Sequence, residues 1–495
     1  MLTIQDLTCE YRTNPLGIDV TAPRLSWKLA GDQAGLHQAA YRLLAASTPA
    51  LLAGKADLWD SGRVESDASV LVPYGGPKPT SRQRVYWQVT VWDASGATAT
   101  SEAAWFEIGL LKRSEWKAKW IGAALRGGAR SSAPAPYLRK SFTLAPEFAA
   151  NIASARLYVT ALGLHETSIN GKPVSDDVFA PGWTDYAKRI QYNVYDVTAL
   201  LQPGENILGS VLGDGWAAGH IGWGHRQQYV DRPRLLAQLE IKTTDGAAIA
   251  VTSDRTWKHW YGPLLHNDLL MGEAYDARLE MGGWDQGGFD DRRWLPVELF
   301  DDTGAALAAT NGPTVRRIEE LAPIADPKVI SGFTAKRYIF DLGQNMVGRV
   351  RFRGSAPAGT TIVLRFAEVL DADGEIYTDN LRTARATDIY TFKGEGVETW
   401  EPKFTFHGFR YVELSGYDGA VDHSTVTGVV LHSAMKATGS FTCSDPLLNQ
   451  LQHNITWGQK GNFVDVPTDC PQRDERLGWT GDIQVFAPSA TFLYN

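Results

Sequence analysis

The sequence predicts a mainly β protein, built from several β-sandwich domains, in which helical structure begins only near residue 440 of 495. Two observations lead to this prediction. Short runs of alternating apolar and polar residues, separated by turn signals such as DSGR at Asp60, follow one another as far as about His432. Near Ser440 the apolar spacing then changes from every second residue to the spacing of a helix.

The first domain, residues 1–112, is predicted to be a small antiparallel sandwich of the fibronectin III-like type. Its strand-like runs are PRLSWKL, AYRLLAAS, SVLVPY and RVYWQVTVWD. Trp87 and Trp92 in the last run are expected in the core and at the rim. Residues 113–136 end in RGGARSSAPAP, and this Gly/Ser/Ala/Pro composition predicts a linker.

The second domain, residues 137–313, is predicted to be a jelly-roll-like sandwich. INGK at Ile169 is a hairpin signal of the Asn-Gly type. The glycine-rich run GDGWAAGHIGWG, residues 213–224, does not suit a regular strand. We expect it to form a loop that exposes Trp216, His220 and Trp223 as candidate sugar contacts, although a tight crossover with buried tryptophans fits the residues equally well.

The third domain, residues 314–435, is predicted to be a central β-sandwich, in which Asn345 and His407 are expected to be structural. Helical structure follows in residues 436–495. Ser444 is a plausible N-cap there, and Pro446 falls in the first turn. The helix would carry its apolar residues on one face, at Leu447, Leu448, Leu451 and Ile455.

Composition limits the classes of function. The net charge of −8 and the pI near 5.7 give no electrostatic case for nucleic acid or an anionic membrane. No window approaches the roughly 18 apolar residues of a membrane span, and the N-terminus lacks the pattern of a signal peptide. Three cysteines, Cys9, Cys443 and Cys470, argue against a disulfide framework. These features predict a soluble, cytoplasmic protein.

The most informative stretch is DCPQRDERLGWTGD, from Asp469 to Asp482, where carboxylates, arginines and a tryptophan crowd into a loop that leads into a helix. Asp474 and Glu475 beside two arginines form the kind of pair whose pKa values can be tuned apart for acid–base catalysis. An acidic loop stabilised by its own ion pairs is the structural alternative. Adjacent residues of an extended segment point in opposite directions, so at most one of the two carboxylates is expected to face a ligand.

Five segments carry a resemblance to a known family. DCPQRDERLGWTGD resembles the catalytic signature of the bacterial α-L-rhamnosidases of glycoside hydrolase family 78. The amino-terminal and central β-domains of that family are similar to four other segments: GDGWAAGHIGW, FAPGWTDYAKRIQY, DLGQNMVGRV and FTFHGFRYVEL. The resemblance implies an inverting two-carboxylate hydrolase that removes terminal α-L-rhamnose from glycosides or oligosaccharides. It also implies that the final helices open an (α/α)6 barrel.

The resemblance assigns roles to single residues. Glu475 aligns with the general acid, and the residues that hold rhamnose align with Asp469, Arg473, Trp479 and Asp482. Trp479 would offer an apolar face to the C6 methyl group of the sugar. No cofactor and no catalytic metal are implied. Some relatives bind rhamnose with calcium in their amino-terminal domain, for which Asp176 and Asp177 are candidate ligands, against the alternative of a solvated hairpin.

The chain departs from the family in length, because by resemblance the barrel should continue for several hundred residues and supply the general base. The base is therefore expected to be absent, and the chain to be inactive or incomplete by itself. It could be a fragment, one half of a split enzyme, or the product of a broken reading frame. Two other functions stay open, a non-catalytic carbohydrate-binding assembly and an inverting (α/α)6 glycosidase for another sugar.

Overall fold

The computed structural model describes residues 2–32, 35–331 and 336–495. These residues are 42% strand and 11% helix, which confirms the predicted fold class. No helix in the described ranges is long and apolar enough to cross a membrane. The chain divides into two compact units. The first comprises Met1–Lys117, Tyr192–Asp196 and Ala306–Asn311, and the second comprises Ala118–Gln191, Val197–Ala305 and Gly312–Asn495.

The first unit contains two antiparallel sheets around one apolar core, as the alternating pattern predicts. Its main elements are β1 (Thr3–Cys9), β2 (Arg24–Ala30), β3 (Gln38–Ala46), α1 (Pro49–Leu52), β4 (Trp59–Asp60), β5 (Val64–Glu65), β6 (Val72–Pro73), β7 (Arg84–Asp93), β8 (Thr98–Thr100) and β9 (Ala104–Glu107). One sheet has the order β1-β2-β6, and the other is built on β3 and β7. Trp27 and Trp87 are both 1% exposed in the shared core. Trp92, expected at the rim, is half-buried under the guanidinium of Arg63.

The next region of the chain is again built from strands. They are β10 (Trp120–Gly122), β11 (Pro136–Leu144), β12 (Ile152–Leu162), β13 (Leu164–Ile169), β14 (Lys172–Pro173), β15 (Arg189–Asp196), β16 (Gly204–Gly213), β17 (Arg234–Thr243), β18 (Ala248–Thr252), β19 (Lys258–Tyr261), β20 (Leu264–Asp268), β21 (Gly272–Asp276), β22 (Leu295–Pro296), β23 (Glu298–Phe300) and β24 (Ala306–Ala309). Two short helices interrupt them, α2 (Pro146–Ala150) and α3 (Gly215–Ala218).

Two sheets of this region match the predicted sandwich. One has the order β14-β13-β16-β11-β19-β22, and the other contains β23-β10-β17-β12 with β18 paired to β17. Asn170 and Gly171 join β13 to β14 with φ of 52° and 77°, the left-handed turn that the Asn-Gly signal predicts. Strand β10 lies inside the segment predicted as a linker. Trp120 and Ile121 are buried there, because the linker-like composition begins only at Arg126.

The central β-domain is built on one large sheet. Its strands are β25 (Val315–Leu321), β26 (Lys328–Ser331), β27 (Lys336–Gly354), β28 (Thr361–Ala367), β29 (Thr387–Thr391), β30 (Glu398–Trp400), β31 (His407–Ser415) and β32 (Val426–Ser433). The sheet has the order β20-β21-β29-β28-β31-β27-β32-β25. The hairpin of β20 and β21 therefore extends this sheet, although it precedes the predicted domain in sequence. Strand β21 pairs parallel with β29.

The final region contains α4 (Pro446–Asn462), β33 (Phe463–Val464), β34 (Val466–Pro467) and α5 (Thr480–Leu493). The helix α4 begins one residue later than predicted. Asp445, and not Ser444, is its N-cap, since the Asp445 carboxylate accepts a hydrogen bond of 2.8 Å from the amide of Leu447. The predicted apolar face is present and exposed, with Leu447 at 78% and Leu451 at 53%.

A buried carboxylate joins the hairpin β20–β21 to the rest of the sheet. Glu273 is 0% exposed, and one of its oxygens accepts from the amides of Lys403 and Phe404 at 2.9 and 3.0 Å. Burial, reinforced by the neighbouring Asp388, raises the pKa of Glu273 to about 7 and outweighs these hydrogen bonds. The native state therefore binds a proton at Glu273 more tightly than the unfolded chain does.

We expect Glu273→Gln to remove a pH-dependent loss of stability. Between the ordinary pKa of 4.5 and the native value of about 7, only the unfolded chain ionises readily, so the free energy of unfolding falls as pH rises. The loss approaches about 3 kcal/mol above pH 7. Chemical denaturation at pH 4 and pH 8 measures it, with the exposed Glu147→Gln as control. Equal pH dependence in both variants would contradict the assignment.

Candidate active site

The site is built on residues 468–479, here called the acidic loop, which connects β34 to α5. Arg476 anchors this loop. Its guanidinium is buried and donates to the carbonyl oxygens of Leu269, at 2.5 Å, and Phe406, at 2.7 Å. It also lies 4.3 Å from the centre of the Phe406 ring. Burial lowers the pKa of Arg476 to about 9, against the opposing effect of Asp268.

A glycine lets the acidic loop approach the central sheet. A Cβ atom added at Gly408, the second residue of β31, would lie 2.8 Å from the Cβ of Gln472 and 3.1 Å from its Cα. Real carbon atoms do not approach this closely, so the loop backbone packs on the sheet at a point where only hydrogen fits. Arg476 and the contact between Gln472 and Gly408 therefore fix the acidic loop on both sides of Asp474 and Glu475.

The two adjacent carboxylates of the acidic loop have different partners. Asp474 accepts from the amide and hydroxyl of Thr383, and it pairs with the Nε of Arg382 at 2.6 Å. Glu475 accepts from the indole nitrogen of Trp479 at 2.6 Å and from Arg473 at 3.1 Å. Asp474 is thus held by the neighbouring loop of the central domain, whereas the shortest hydrogen bonds of Glu475 come from within the acidic loop.

The surroundings of Glu475 favour its ionised form. Burial favours the neutral form of Glu475. Its hydrogen bonds with Trp479, Arg473 and Asp469, together with the positive charge of Arg473, outweigh burial and lower the pKa of Glu475. Cys470 donates from its sulfur to Asp469 at 3.0 Å. Burial and the adjacent Asp469 raise the pKa of Cys470 to about 12, so its thiol stays protonated and acts as a donor.

Three of the predicted sugar-binding residues line one cavity. Asp469, Trp479 and Asp482 face a concave space of about 320 Å³ between α4 and α5, whose other walls include Phe463 and Phe486. Two carboxylates and an indole face therefore converge on an otherwise largely apolar space. Arg473 and Glu475 do not line this cavity and reach it through Trp479 and Asp469.

The glycine-rich run at residues 213–224 divides into a buried and an exposed part. The prediction that it exposes Trp216 is wrong. Trp216 lies in α3, is 4% exposed and stacks on Trp183 at 6.1 Å between ring centres. The ring of His220 lies 2.9 Å from the carboxylate of Asp268, which fixes it in place. Trp223 is 59% exposed, as predicted, and its ring centre lies 6.1 Å from that of Trp479.

The sequence reasoning missed Arg382 and the buried charges beneath the site. Arg382 contacts both Asp474 and Glu475, with 3.3 Å to the latter. Arg226 pairs with Asp214, whose pKa burial raises to about 6 in spite of this partner. These residues lie far from the acidic loop in sequence and follow no spacing pattern that predicts the contact.

The candidate calcium ligands are already paired. Asp176 and Asp177 lie 3.0 Å from the two terminal nitrogens of Arg316, and Asp177 also accepts from Thr314 at 2.6 Å. A guanidinium thus occupies the space between the two carboxylates, and a cation could bind there only by displacing it. These two residues, as arranged, do not fit a calcium ion.

Comparison with known families accounts for most of the chain. The matching profiles are the Rha78A-like N-terminal immunoglobulin domain (residues 4–112), the alpha-L-rhamnosidase N-terminal domain (150–319), the bacterial alpha-L-rhamnosidase concanavalin-like domain (332–432) and the bacterial alpha-L-rhamnosidase 6 hairpin glycosidase domain (436–495). The acidic loop lies in the last of these, which describes a glycosidase.

Individual relatives agree. An alpha-L-rhamnosidase of Streptomyces avermitilis is 39% identical over 99% of this chain and 63% of its own length, and one of Formosa agariphila is 44% identical over 97% and 52%. The crystal structure of the Streptomyces avermitilis alpha-L-rhamnosidase complexed with L-rhamnose matches with a TM-score of 0.94 at 37% identity, over 100% of this chain and 64% of that one. The fold and the acidic loop are those of a glycoside hydrolase chain. This chain belongs to the bacterial α-L-rhamnosidases of glycoside hydrolase family 78, and it spans about half to two thirds of the length of the curated relatives it matches.

We expect Gly408→Ala to loosen the acidic loop, because the added methyl group would lie 2.8 Å from the Cβ of Gln472 and the loop would have to move. Tryptic cleavage after Arg473 and Arg476 should become several-fold faster, since local opening governs proteolysis. Gly481→Ala is the matched control, because open space surrounds that position. Equal cleavage rates in both variants would show that the contact with β31 does not hold the loop.

Proposed function

We propose that this chain carries the sugar-recognition and proton-donating part of an α-L-rhamnosidase, which hydrolyses terminal α-L-rhamnosides with inversion. The observation that carries the proposal is the position of Glu475, held by Trp479 and Arg473 directly behind a cavity lined by Asp469 and Asp482. Relatives named alpha-L-rhamnosidase, one of them solved with L-rhamnose, support the choice of sugar.

Each polar residue of the site has a role in this proposal. Asp469 and Asp482 accept hydrogen bonds from sugar hydroxyls, and Arg473, displaced from Glu475 when the sugar binds, donates its fork of hydrogen bonds to the same hydroxyls. The exposed indole of Trp479 covers the C6 methyl group, which distinguishes rhamnose from a hexose that bears a hydroxyl there. Glu475 protonates the leaving oxygen. The proposal does not give this role to Asp474, because its carboxylate is bonded to Thr383 and Arg382.

Asp469 is not the general base in this proposal. Its carboxylate lies within 4.8 Å of that of Glu475, and both lie as close to the sulfur of Cys470. An inverting pair needs about 6.5 to 9.5 Å between its carboxyl groups to admit a water, and a retaining pair about 5 to 5.5 Å. The pair falls short of the separation that an inverting pair needs. The water is therefore activated by a carboxylate other than Asp469.

The reaction needs only carboxyl groups and water, so the proposal includes no cofactor or metal. Its substrates are rhamnose-containing glycosides or oligosaccharides. A cytoplasmic location is also part of the proposal. It is supported by the three cysteines, Cys9, Cys443 and Cys470, which are unpaired thiols.

One observation favours a second candidate, a module that binds rhamnose without cleaving it. The lowered pKa of Glu475 keeps this residue ionised, which suits a hydrogen-bond acceptor and not a proton donor. The two functions differ in what sugar binding does to Glu475. A catalytic site must raise the pKa of this residue when the substrate displaces Arg473 and Trp479 from its carboxylate.

Glu475→Gln, made in a protein that also contains the general base, separates these functions. The amide keeps the shape of the side chain but cannot donate the proton, so hydrolysis of methyl α-L-rhamnoside should fall by about 10²- to 10⁴-fold. Hydrolysis of 4-nitrophenyl α-L-rhamnoside, whose leaving group needs little protonation, should fall much less. Calorimetry should show that L-rhamnose still binds.

Asp474→Asn is the matched control, because it changes a neighbouring carboxylate that is bonded elsewhere. It should lower the activity on both substrates by the same factor. Equal losses on both substrates in Glu475→Gln would assign Glu475 to sugar binding. In a protein that also contains the general base, binding of rhamnose with no turnover of either substrate would favour the non-catalytic module.

A further inference from the structure

The guanidinium of Arg382 lies against the acidic loop from outside it. Arg382 belongs to the loop between β28 and β29, and its Nε lies 2.6 Å from the carboxylate of Asp474. Its Nη2 donates to the backbone carbonyl of Asp474 at 3.0 Å and to the Oε2 atom of Glu475 at 3.3 Å. One cation of the central β-domain therefore contacts the side chain and the backbone of Asp474 and the side chain of Glu475.

The backbone at Arg382 is held in an unfavourable conformation. Its φ is 57° and its ψ is −111°, outside the regions that residues with a side chain normally adopt. Such a conformation costs free energy and persists only where neighbouring contacts fix it. Here Leu381 is 3% exposed in an apolar cluster, and the amide of Thr383 donates to the carboxylate of Asp474 at 3.2 Å. Glycine adopts such angles without steric cost, so an arginine at this position indicates a use for its side chain.

Glu475 has two cationic neighbours, which differ in what holds them. Arg473 belongs to the acidic loop and donates from its Nε and Nη2 atoms to the Oε2 atom of Glu475, both at 3.1 Å. Arg382 contacts the same oxygen, but it is also held by the side chain of Asp474, only 6% of which is exposed. A sugar hydroxyl that draws Arg473 away from Glu475 therefore leaves Arg382 in place.

The two oxygens of Glu475 have separate partners, which suits a proton donor. The indole nitrogen of Trp479 donates to Oε1 at 2.6 Å, whereas Arg382 contacts Oε2. When the substrate displaces Trp479, Oε1 is free to carry the proton while Oε2 still faces a cation. Transfer of this proton breaks the O–H bond at Oε1 and forms one at the leaving oxygen. The negative charge that stays on Glu475 then lies beside Arg382, which stabilises it.

We propose that Arg382 is a positioning residue of the reaction, which keeps the carboxyl group of Glu475 in place after the sugar has drawn Arg473 away. The inference rests on the proposed function, because it needs rhamnose in the neighbouring cavity and Glu475 as the acid. Arg382 does not touch the sugar in this proposal. It acts through Glu475, so its effect is larger with sugar bound than in the free site.

Carbon-13 NMR on the whole chain, labelled at the glutamate carboxyl carbons, tests the proposal. The signal of Glu475 is the one that Glu475→Gln removes. In Arg382→Gln the pH midpoint of this signal should rise by roughly one pH unit with saturating L-rhamnose, a tenfold tighter proton affinity, and by much less without sugar. Arg382→Lys keeps the charge and should keep most of the unmodified behaviour.

Two further variants separate this effect from damage to the fold. Arg382→Gly removes the guanidinium but adopts the φ of 57° without strain, so it should shift the midpoint even if glutamine disturbs the loop. Arg410→Gln is the matched control and should leave the midpoint unchanged. The side chain of Arg410 is 37% exposed, against 40% for Arg382, and it pairs at 2.7 Å with Asp341 of the same β-domain instead of the acidic loop.

The outcomes distinguish the two proposals. If L-rhamnose binds and the midpoint with sugar is the same in Arg382→Gly as in the unmodified protein, the role of Arg382 is refuted and the proposed function stands. An equal rise with and without sugar would refute the replacement of Arg473 by Arg382. An equal rise in Arg410→Gln would refute it as well, since the loss of any nearby cation would then suffice. Failure of the unmodified protein to bind L-rhamnose would refute the proposed function, and the role of Arg382 with it.

Discussion

The geometry of the site depends on one buried cation. Arg476 places its guanidinium against two backbone carbonyl oxygens and the face of Phe406, and no carboxylate of the described residues is in direct contact with it. Burying a charge in this way costs several kcal/mol unless dipoles replace the lost hydration. The acidic loop has little backbone pairing of its own, so side chains must fix it. Because Arg476 directly follows Glu475, the anchor that positions one also positions the other.

A single carboxylate connects this anchor to the loop that carries Trp223. Asp268 accepts from the amides of Leu270 and Met271 and so shapes the turn that contains the carbonyl of Leu269, which receives Arg476. With its other oxygen it accepts from the amide of His220, three residues before Trp223. One buried group therefore sets the positions of both walls around Glu475. This explains why the short acidic loop needs two β-domains beneath it.

Local sequence patterns predicted most of the fold, and the predictions failed where the structure depends on contacts between residues distant in sequence. The alternation of apolar and polar residues predicted the strands, and Asn170 and Gly171 predicted a hairpin. The residues around Pro446 predicted the start of a helix, with an error of one position. The prediction for Trp216 failed because its burial depends on stacking with Trp183, 33 residues earlier in the chain. Arg382 was missed because it lies 93 residues from Glu475 and matches no motif. Contacts of this kind leave no periodicity in the sequence, whereas the stretch from Asp469 to Asp482 concentrates its chemistry within fourteen residues.

Both the proposed chemistry and the electrostatics of the site without sugar depend on Glu475. The groups that lower its pKa, Trp479 and Arg473, are also the groups expected to contact the sugar. A sugar hydroxyl that accepts a hydrogen bond from Arg473 draws the positive guanidinium away from the Glu475 carboxylate. A sugar that fills the cavity also excludes water from this carboxylate. Both changes raise the pKa of Glu475, the first by weakening attraction and the second by strengthening the effect of burial. In the proposed enzyme the acid is therefore charged in the free site and becomes a proton donor only when rhamnose is bound.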